Sequence, residues 1–545
     1  MRRDLDAFQS RFDVLVVGGG IYGACIARFA ARQRWSVALL ERDDFGAGVS
    51  HNSLKIVHGG LRYVQHFDVP RMRDSVAAQR AWLRAAPHLV RPMRCVIPTY
   101  GYGTRGRLAF AAGSIAFHAI AGRRNDGLSP ETRLPLSGLM SRRAILQQYP
   151  DLTRDDVTGG AYWYDAQILD ANRLTIECIQ DACRHGAVVA NHVEALQLRA
   201  ADRRVDGVLA RDALTGREFE VRARVTVNAT GPHVQRLLGT FARPLNLHRP
   251  LTWTRNVNLV TSRVFDTADA VGVGSQRASD ATVGRSKRLF FVTPWQDCSI
   301  IGTSHIQHTG DIEDLVPAVR ADVDEFLREV NEALPRLRLQ AGDIRYVHSG
   351  LTPAEDDVVR SRRSILVDHA SVDDVRGLVS VLGIKYTTAP NVGGRVIAVI
   401  AQALGEPSVR VDLSSPLPGS SPSGADSGVE SEDAQWARRI YGTRAAELLR
   451  SLPRGALSAE EHVFRCRVQY GMEHEMVLRL RDAVFRASDV AERGQLTAER
   501  LAWCSDVMAQ RFGWTAEQRD LQLREVCARL GKPCSQAPST VSSAR

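Results

Sequence analysis

The sequence of 545 residues predicts an α/β fold that opens on a dinucleotide-binding unit and closes on a helical region. Three observations predict it: a strand–glycine loop–helix–strand unit near the N-terminus, a distant buried strand ending in Ala-Thr-Gly, and a final stretch that reads as helix alone. The first unit is Asp13–Glu41. Asp13-Val-Leu-Val-Val17 is a short apolar run, as in a buried parallel strand. Gly18-Gly-Gly-Ile-Tyr-Gly23 follows at once as G-x-G-x-x-G. Gly18 allows the tight turn, Gly20 lets the backbone approach a pyrophosphate, and Gly23 lets helix and strand pack closely. The helix from about Ile21 to Arg34 offers N–H groups and a positive dipole end to phosphates. The strand Ser36–Leu40 ends on Glu41, where a carboxylate can accept from both ribose hydroxyls. The motif specifies a dinucleotide without saying which.

Length predicts two or three domains. The net charge is +10 and the pI about 9.3, and only four of 71 basic residues are lysines: Lys55, Lys287, Lys385 and Lys532. Such an excess suits an anionic substrate or membrane surface, and equally a solvated basic face. The basic residues are dispersed and lack interleaved aromatics, which argues against nucleic acid. Nine cysteines without a C-x-x-C pair predict neither a disulfide framework nor a metal site, and a reducing compartment. The first residues hold no apolar signal core, so a cytoplasmic location is expected. No segment is long enough to span a membrane. Leu108–Ala121 is largely apolar and flanked by Arg105, Arg107, Arg123 and Arg124. It reads either as an interfacial helix on the inner face of the cytoplasmic membrane or as an ordinary buried helix.

After Glu41 a glycine-rich loop leads to His51-Asn-Ser-Leu-Lys-Ile-Val-His-Gly-Gly-Leu-Arg-Tyr-Val64. Gly59-Gly60 lack side chains, so backbone can lie against a flat ring system. His58, Arg62 and Tyr63 supply polar groups beside it, and Ser50, Ser53 and Lys55 can bind phosphate or ring oxygens. The run Lys55-Ile-Val-His-Gly-Gly-Leu-Arg-Tyr63 closely resembles the signature of FAD-dependent, quinone-linked glycerol-3-phosphate dehydrogenases. That resemblance implies an FAD-binding Rossmann-type domain of the glutathione-reductase/D-amino-acid-oxidase kind, a β-sheet substrate domain and a C-terminal helical domain.

Further along, Asp68–Pro87 reads as an amphipathic helix and Val96–Thr99 as a strand. Gly159–Asp165 and Asp170–Leu174 resemble the family segment that returns the chain to the flavin domain. A helix Arg173–His185 and strand Ala187–Asn191 follow, and the strand end near Val193 is the family's adenine contact. Val205–Ala213 and Glu218–Ala223 read as a hairpin. Arg224–Asn228 then reads as a buried strand ending in Ala229-Thr230-Gly231, which in two-dinucleotide-fold flavoproteins closes over the pyrophosphate. A nicotinamide enzyme has no reason to return a strand there, so a resident FAD is favoured over NAD. Thr252–Thr261, Arg288–Trp295 and Cys298–Ser304 read as strands and Asp322–Leu334 as a helix; the Pro-Trp and Ile-Ile-Gly-Thr segments resemble the family, in which this sheet roofs the substrate.

Two departures from the family stand out. In Tyr346-Val-His-Ser-Gly-Leu-Thr-Pro353 the arginine that grips the substrate phosphate is replaced by Thr352. Arg62, Arg255, Arg345, Arg360, Arg362 and Arg363 are candidate substitutes. In Leu382-Gly-Ile-Lys-Tyr-Thr-Thr388 the family's G-G-K-x-T-T has become Gly383-Ile384-Lys385, followed by Thr387. Lys385 can place positive charge near the flavin N1–C2=O edge.

The expected division is an FAD-binding domain (1–95, 150–245, 355–410), a substrate cap (96–149, 246–354), a flexible linker (411–433), a helical domain (434–530) and a disordered tail (531–545). The expected cofactor residues are Gly18, Gly20, Gly23, Glu41, Ser50, Ser53, Lys55, Gly59, Gly60, Val193, Ala229, Thr230, Gly231, Gly383, Lys385 and Thr387. His58 is the first candidate base and His348 the second, with Arg62, Tyr63, Thr352 and Arg255 on the substrate and no metal. The expected reaction is oxidation of glycerol 3-phosphate by hydride transfer to flavin N5, with quinone as the acceptor the resemblance implies. Two alternatives stay open: a non-phosphorylated alcohol, hydroxy acid or amine as substrate, and a non-catalytic flavin-binding protein. His51 raises the further question of a covalent flavin link.

Overall fold

The computed structural model describes residues 1–101, 106–152, 157–248, 251–278, 287–312, 320–354, 363–407, 409–420 and 431–531. The side chains of Arg62, Gln65, His66, Gln276, Arg277, Ala278 and Lys287 lie outside that description, as do Arg105, Arg360 and Arg362 whole.

The first sheet has eight described strands, in the order Ile365–Asp368, Leu378–Leu382, Glu218–Asn228, Arg11–Val17, Val37–Leu40, Val188–Ala190, with Val193–Ala201 and Arg204–Asp212 attached to the flank of Glu218–Asn228. Its centre is parallel. Val14–Val17 are buried on both faces, because helices Ile21–Arg32, Ala171–Arg184 and Ala389–Leu404 pack on one side and the apolar cluster of Phe8, Val208 and Leu237 on the other. This is why the sequence there is continuously apolar instead of alternating. The two stretches expected as a hairpin strand and a buried strand are one strand, Glu218–Asn228. Its first part, Glu218–Arg222, pairs antiparallel with Arg204–Asp212, and from Arg222 to Asn228 it runs parallel to the first strand.

The second sheet has nine described strands, in the order Ile344–Ala354, Thr252–Ser262, Cys298–His308, Lys287–Trp295, Ala270–Ala278, Val90–Tyr100, Val157–Ile168, Ile56–Val57, with Gly138–Ser141 on the flank of Val157–Ile168. Val157–Ile168 and Ile56–Val57 therefore lie in the second sheet, although the sequence division put both with the cofactor domain. The strand expected at Val96–Thr99 spans Val90–Tyr100, and the helix expected at Asp322–Leu334 spans Arg320–Ala333.

The last region holds helices Glu432–Tyr441, Ala445–Leu449, Ala459–His474, Ala498–Phe512 and Ala516–Leu530, with a π-helical turn at Asp482–Ala487. The expected flexible linker is not flexible throughout. Leu417 is buried and its N–H donates to Ala85 O, while Arg28 reaches Ser415 O. Residues 421–430 and 532–545 lie outside the described part.

Candidate functional site

A cavity of about 2060 Å³ is lined by residues of both sheets. One end is walled by Gly18, Gly20, Glu41, Val193 and the Ala229-Thr230-Gly231 turn. The other is walled by His58, Gly60, Tyr63, Lys385 and the inner face of the second sheet.

The glycines at the first end are forced by close approach. A Cβ on Gly18, whose φ is +107°, would sit 2.5 Å from Ala229 O. The returning Ala-Thr-Gly turn thus crosses directly over the first glycine, and Ala229 N–H donates to Val17 O at 2.9 Å. A Cβ on Gly23 would sit 1.8 Å from Gly18 O, so helix and strand touch through backbone. The helix N-terminus at Ile21 faces Ser50, whose Oγ accepts from Ile21 N–H at 2.9 Å. Glu41 accepts from Gly19 N–H at 2.6 Å and Asp43 N–H at 2.8 Å. Burial is the main influence on it and pushes its carboxyl up to about 6. Val193 lines the cavity, with its N–H already given to Glu41 O at 2.7 Å.

At the second end, Asp165 organises the wall. One oxygen accepts from Gly59 N–H at 2.7 Å and Gln79 Nε2 at 3.2 Å; the other meets His58 Nδ1 at 3.0 Å and Trp163 Nε1 at 3.2 Å. Burial opposes its ionisation, yet His58 and these donors hold its carboxyl below the usual range. With Nδ1 tied to a carboxylate, His58 has Nε2 left as an acceptor, and its side chain is half exposed in the cavity wall. Lys385 Nζ lies 4.4 Å and Arg71 Cζ 4.5 Å from the Tyr63 ring centroid, which concentrates positive charge on the wall of the cavity that His58 also lines. Gly383 is required by Tyr22, whose ring a Cβ would strike at 2.0 Å; Tyr22 OH in turn donates to Lys385 O at 2.7 Å. Thr387 also lines the cavity, and its carbonyl accepts from Trp82 Nε1 at 3.0 Å.

The inner face of the second sheet contributes a polar roof from three adjacent strands. Asn256 Nδ2 donates to Thr352 Oγ1 at 2.9 Å, and Asn256 Oδ1 meets His305 Nδ1 at 2.7 Å. Asn258 Oδ1 accepts from Thr303 Oγ1 at 2.7 Å. All five line the cavity. Asn256 and Asn258 stand at i, i+2, the spacing of one strand face, with Val257 between them; that spacing was the signal the sequence reading passed over. Asp165 was visible only as the end of a quoted segment.

Several expected site residues lie elsewhere. Lys55 is buried beneath the cavity wall; its φ of +58° turns the side chain away, so that Nζ donates to His51 O at 2.5 Å and sits 3.6 Å from Glu492 Oε2. His348 is fully buried and bonded to Glu492 Oε2 at 3.0 Å, off the cavity wall. Gly59 faces Gln79 and Asp165, so only Gly60, with φ +89°, borders the cavity. Arg255 is engaged by Asp322 at 3.0 Å and His308 at 3.0 Å, and Arg345 by Asp297 at 3.0 Å. Of the candidate phosphate arginines with described side chains, Arg363 borders the cavity; the side chain of Arg62 and residues Arg360 and Arg362 lie outside the described part. Ser53 lines the cavity, with its Oγ accepting from Lys55 N–H at 3.2 Å. Both ring nitrogens of His51 are bonded, to Gly46 O and Arg529, each at 3.2 Å. That arrangement argues against a covalent flavin link.

A backbone-lined glycine cradle, a half-buried carboxylate beyond it and a wide second end with no bulky side chain at Gly60 together fit a long dinucleotide ending in a flat ring. The comparisons agree. A family model described as FAD dependent oxidoreductase matches residues 13–398, and one described as C-terminal domain of alpha-glycerophosphate oxidase matches 394–519. Glycerol-3-phosphate dehydrogenase of Synechocystis sp. is 28% identical over 98% of this chain and 99% of that protein. Alpha-glycerophosphate oxidase of Streptococcus pyogenes is 28% identical, with 96% of each covered. The fold is that of the glycerol-3-phosphate dehydrogenase from Bacillus halodurans solved with FAD, at a TM-score of 0.74 and 22% identity over 99% of this chain and 98% of that one. With the cradle, the return turn and both family matches in agreement, the chain belongs to the FAD dependent oxidoreductases and is an enzyme similar to the glycerol-3-phosphate dehydrogenases.

Proposed function

We propose that this enzyme oxidises sn-glycerol 3-phosphate to dihydroxyacetone phosphate. The observation that carries the reading is the His58–Asp165 pair, which faces the same cavity as the Tyr63–Lys385–Arg71 cluster. FAD, when bound along Gly18, Gly20, Glu41 and the Ala229-Thr230-Gly231 turn, supplies the two-electron acceptor for a carbinol hydride. His58 Nε2 takes the substrate hydroxyl proton, and Asp165 stabilises the imidazolium that results. Lys385 and Arg71 attract the substrate anion, and the roof of Asn256, Asn258, Thr303 and His305 binds hydroxyls and excludes water.

Thr352 favours a second reading, a non-phosphorylated alcohol, hydroxy acid or amine, because its hydroxyl is already bonded to Asn256 where the family carries a cation. Anaerobic bleaching of the flavin separates the two. Glycerol 3-phosphate should bleach it at far lower concentration than glycerol, lactate or small amines. The reverse order would sink the first reading, and no bleaching by any of them would leave a non-catalytic flavoprotein. Thr352→Arg should tighten glycerol 3-phosphate binding about ten- to a hundredfold, the worth of a charged bidentate contact. An unchanged KM for that substrate would show that another group already holds the phosphate.

Glu41 gives a pH dependence. Ribose hydroxyls donate to its ionised form, and its carboxyl titrates at about 6. FAD affinity of the apoprotein should therefore hold above that pH and weaken as pH falls through it. Equal dissociation constants at pH 5 and 7.5 would remove Glu41 from the ribose contact.

The electron acceptor we propose is a membrane quinone. Helix Arg107–Ile120 lines the cavity with Ala109, Phe110, Gly113 and Ser114, while Leu108 and Ile115 on its other side are 83% and 71% exposed. Leu136 and Phe67 are exposed as well. Such a half-buried helix suits the interfacial reading, with one revision: Arg124 is buried and bonded to Leu134 O at 3.1 Å, so it is not at headgroup level. Among the described residues no helix is long and apolar enough to cross a membrane. Leu108→Asp/Ile115→Asp should abolish sedimentation with anionic vesicles and leave flavin content unchanged; undiminished sedimentation would place the contact elsewhere.

A further inference from the structure

The loop from Asp43 to Lys55 walls the cavity with Asp43, Ala47–Leu54 and their backbone. Asn191 Nδ2 donates to Asp44 Oδ1 at 2.9 Å and Lys55 Nζ lies 5.1 Å from the Trp295 ring centroid, but the other partners that hold the loop's charged and imidazole side chains from behind come from one region. Arg481 pairs with Asp43. Arg486 Nε donates to Asp44 Oδ2 at 2.5 Å. Glu492 takes Lys55 Nζ at 3.6 Å and His348 Nε2 at 3.0 Å. Arg529 donates to Ala47 O at 3.3 Å and to His51 Nε2 at 3.2 Å. Four anchors along one short loop thus come from residues 481–529, and Arg481, Ala528 and Arg529 themselves reach the cavity wall. Arg486, Glu492, Asp44 and Lys55 are buried, so removing one leaves its counterpart's charge uncompensated in a low-dielectric setting, and removing Arg529 takes the donor from a carbonyl and an imidazole nitrogen.

The chemistry of the cluster is consistent with a fixed geometry. Burial opposes ionisation of Glu492, yet Lys55 foremost, with His51 and His348, holds its carboxyl well below the usual range. Burial, with Arg529 and Lys55 nearby, pushes the His51 imidazole down to about 3 despite Glu492. His51 is therefore neutral, accepting from Arg529 at Nε2 and donating to Gly46 O from Nδ1.

We infer that the C-terminal helical region positions the cofactor: Glu492 and Arg529, acting through Lys55 and His51, hold the 43–55 loop in the shape that retains FAD and sets the surroundings of its ring. They are positioning residues, since neither is placed in the proton-transfer or substrate cluster.

The test uses the full-length holoenzyme with Glu492→Gln, Arg529→Met, Arg529→Lys and, as a control, Arg524→Ala, an exposed residue paired only to Asp520 among the contacts described. FAD release on dilution is followed by flavin fluorescence, and the bound flavin's visible spectrum and reduction potential are recorded. Glu492→Gln and Arg529→Met should each release FAD about tenfold faster or more, the scale of one lost charged hydrogen bond, with a shifted spectrum and potential. Arg529→Lys should recover part of the loss, and Arg524→Ala should behave as the parent. If Glu492→Gln does not fold, Arg529→Met decides alone. Folded variants with parental FAD release, spectrum and potential overturn the inference, as does a fall in thermal stability with those three readouts unmoved, which would assign both residues to packing.

Discussion

Replacing His58 by alanine should lower the rate of flavin reduction by glycerol 3-phosphate about 10²–10⁴-fold, the usual contribution of a positioned base, with FAD still bound. Asp165→Asn should fall in the same range for a different reason. The carboxylate now accepts from Gly59 N–H on one oxygen and orients His58 Nδ1 on the other. An amide can serve only one of these as acceptor. Whichever way it flips, either a buried backbone N–H is orphaned or His58 is pushed toward the tautomer that has no acceptor on the cavity side. Stopped-flow bleaching of the flavin measures both variants against the parent. A His58→Ala enzyme that bleaches at the parental rate would move the base to another residue and return His58 to the role of a structural histidine.

That pair also marks the boundary of what the sequence could say. The glycine cradle was legible because its chemistry is local: Gly18, Gly20 and Gly23 sit within six positions, and each spacing has one backbone consequence. The return of Ala229 to Gly18 was legible through resemblance, and His58 as a base candidate through residue type. Its orientation was not, because Asp165 is a strand position far along the chain, in the second sheet. Lys55 was misread for a related cause. A lysine beside a nucleotide loop suggests a phosphate ligand, but a left-handed backbone at that one residue turned it toward Glu492, and no local pattern announces such a φ at a non-glycine. Arg255 looked available to an anion and is taken by Asp322. The helical region was legible as helix, with the family resemblance beside it, whereas its docking through Arg481, Arg486, Glu492 and Arg529 rests on pairs hundreds of residues apart.

Gly23→Ala should yield a protein that purifies without colour. The added methyl would lie 1.8 Å from Gly18 O, 3.0 Å from Gly18 C and 3.3 Å from Val16 Cγ1. The first two are backbone atoms of the very turn proposed to hold the pyrophosphate, so no rotamer change relieves the clash. Helix Ile21–Arg32 must instead move off strand Arg11–Val17, into a core where Ala24, Ala27 and Ala30 leave no slack. Overpacking of this kind costs about 3 kcal/mol or more, and here the displacement falls on the phosphate cradle, so FAD affinity should drop about a hundredfold or more. Gly231→Ala supplies the contrast. It sits in the same pyrophosphate wall with φ +59° and nothing within 4 Å of a Cβ, so its cost is the left-handed backbone alone, about 1–2 kcal/mol. The order of flavin content after gel filtration should therefore be parent, Gly231→Ala, Gly23→Ala. A yellow Gly23→Ala protein with parental stoichiometry and melting temperature would mean that helix and strand need not touch there, and the cradle as described would have to be given up.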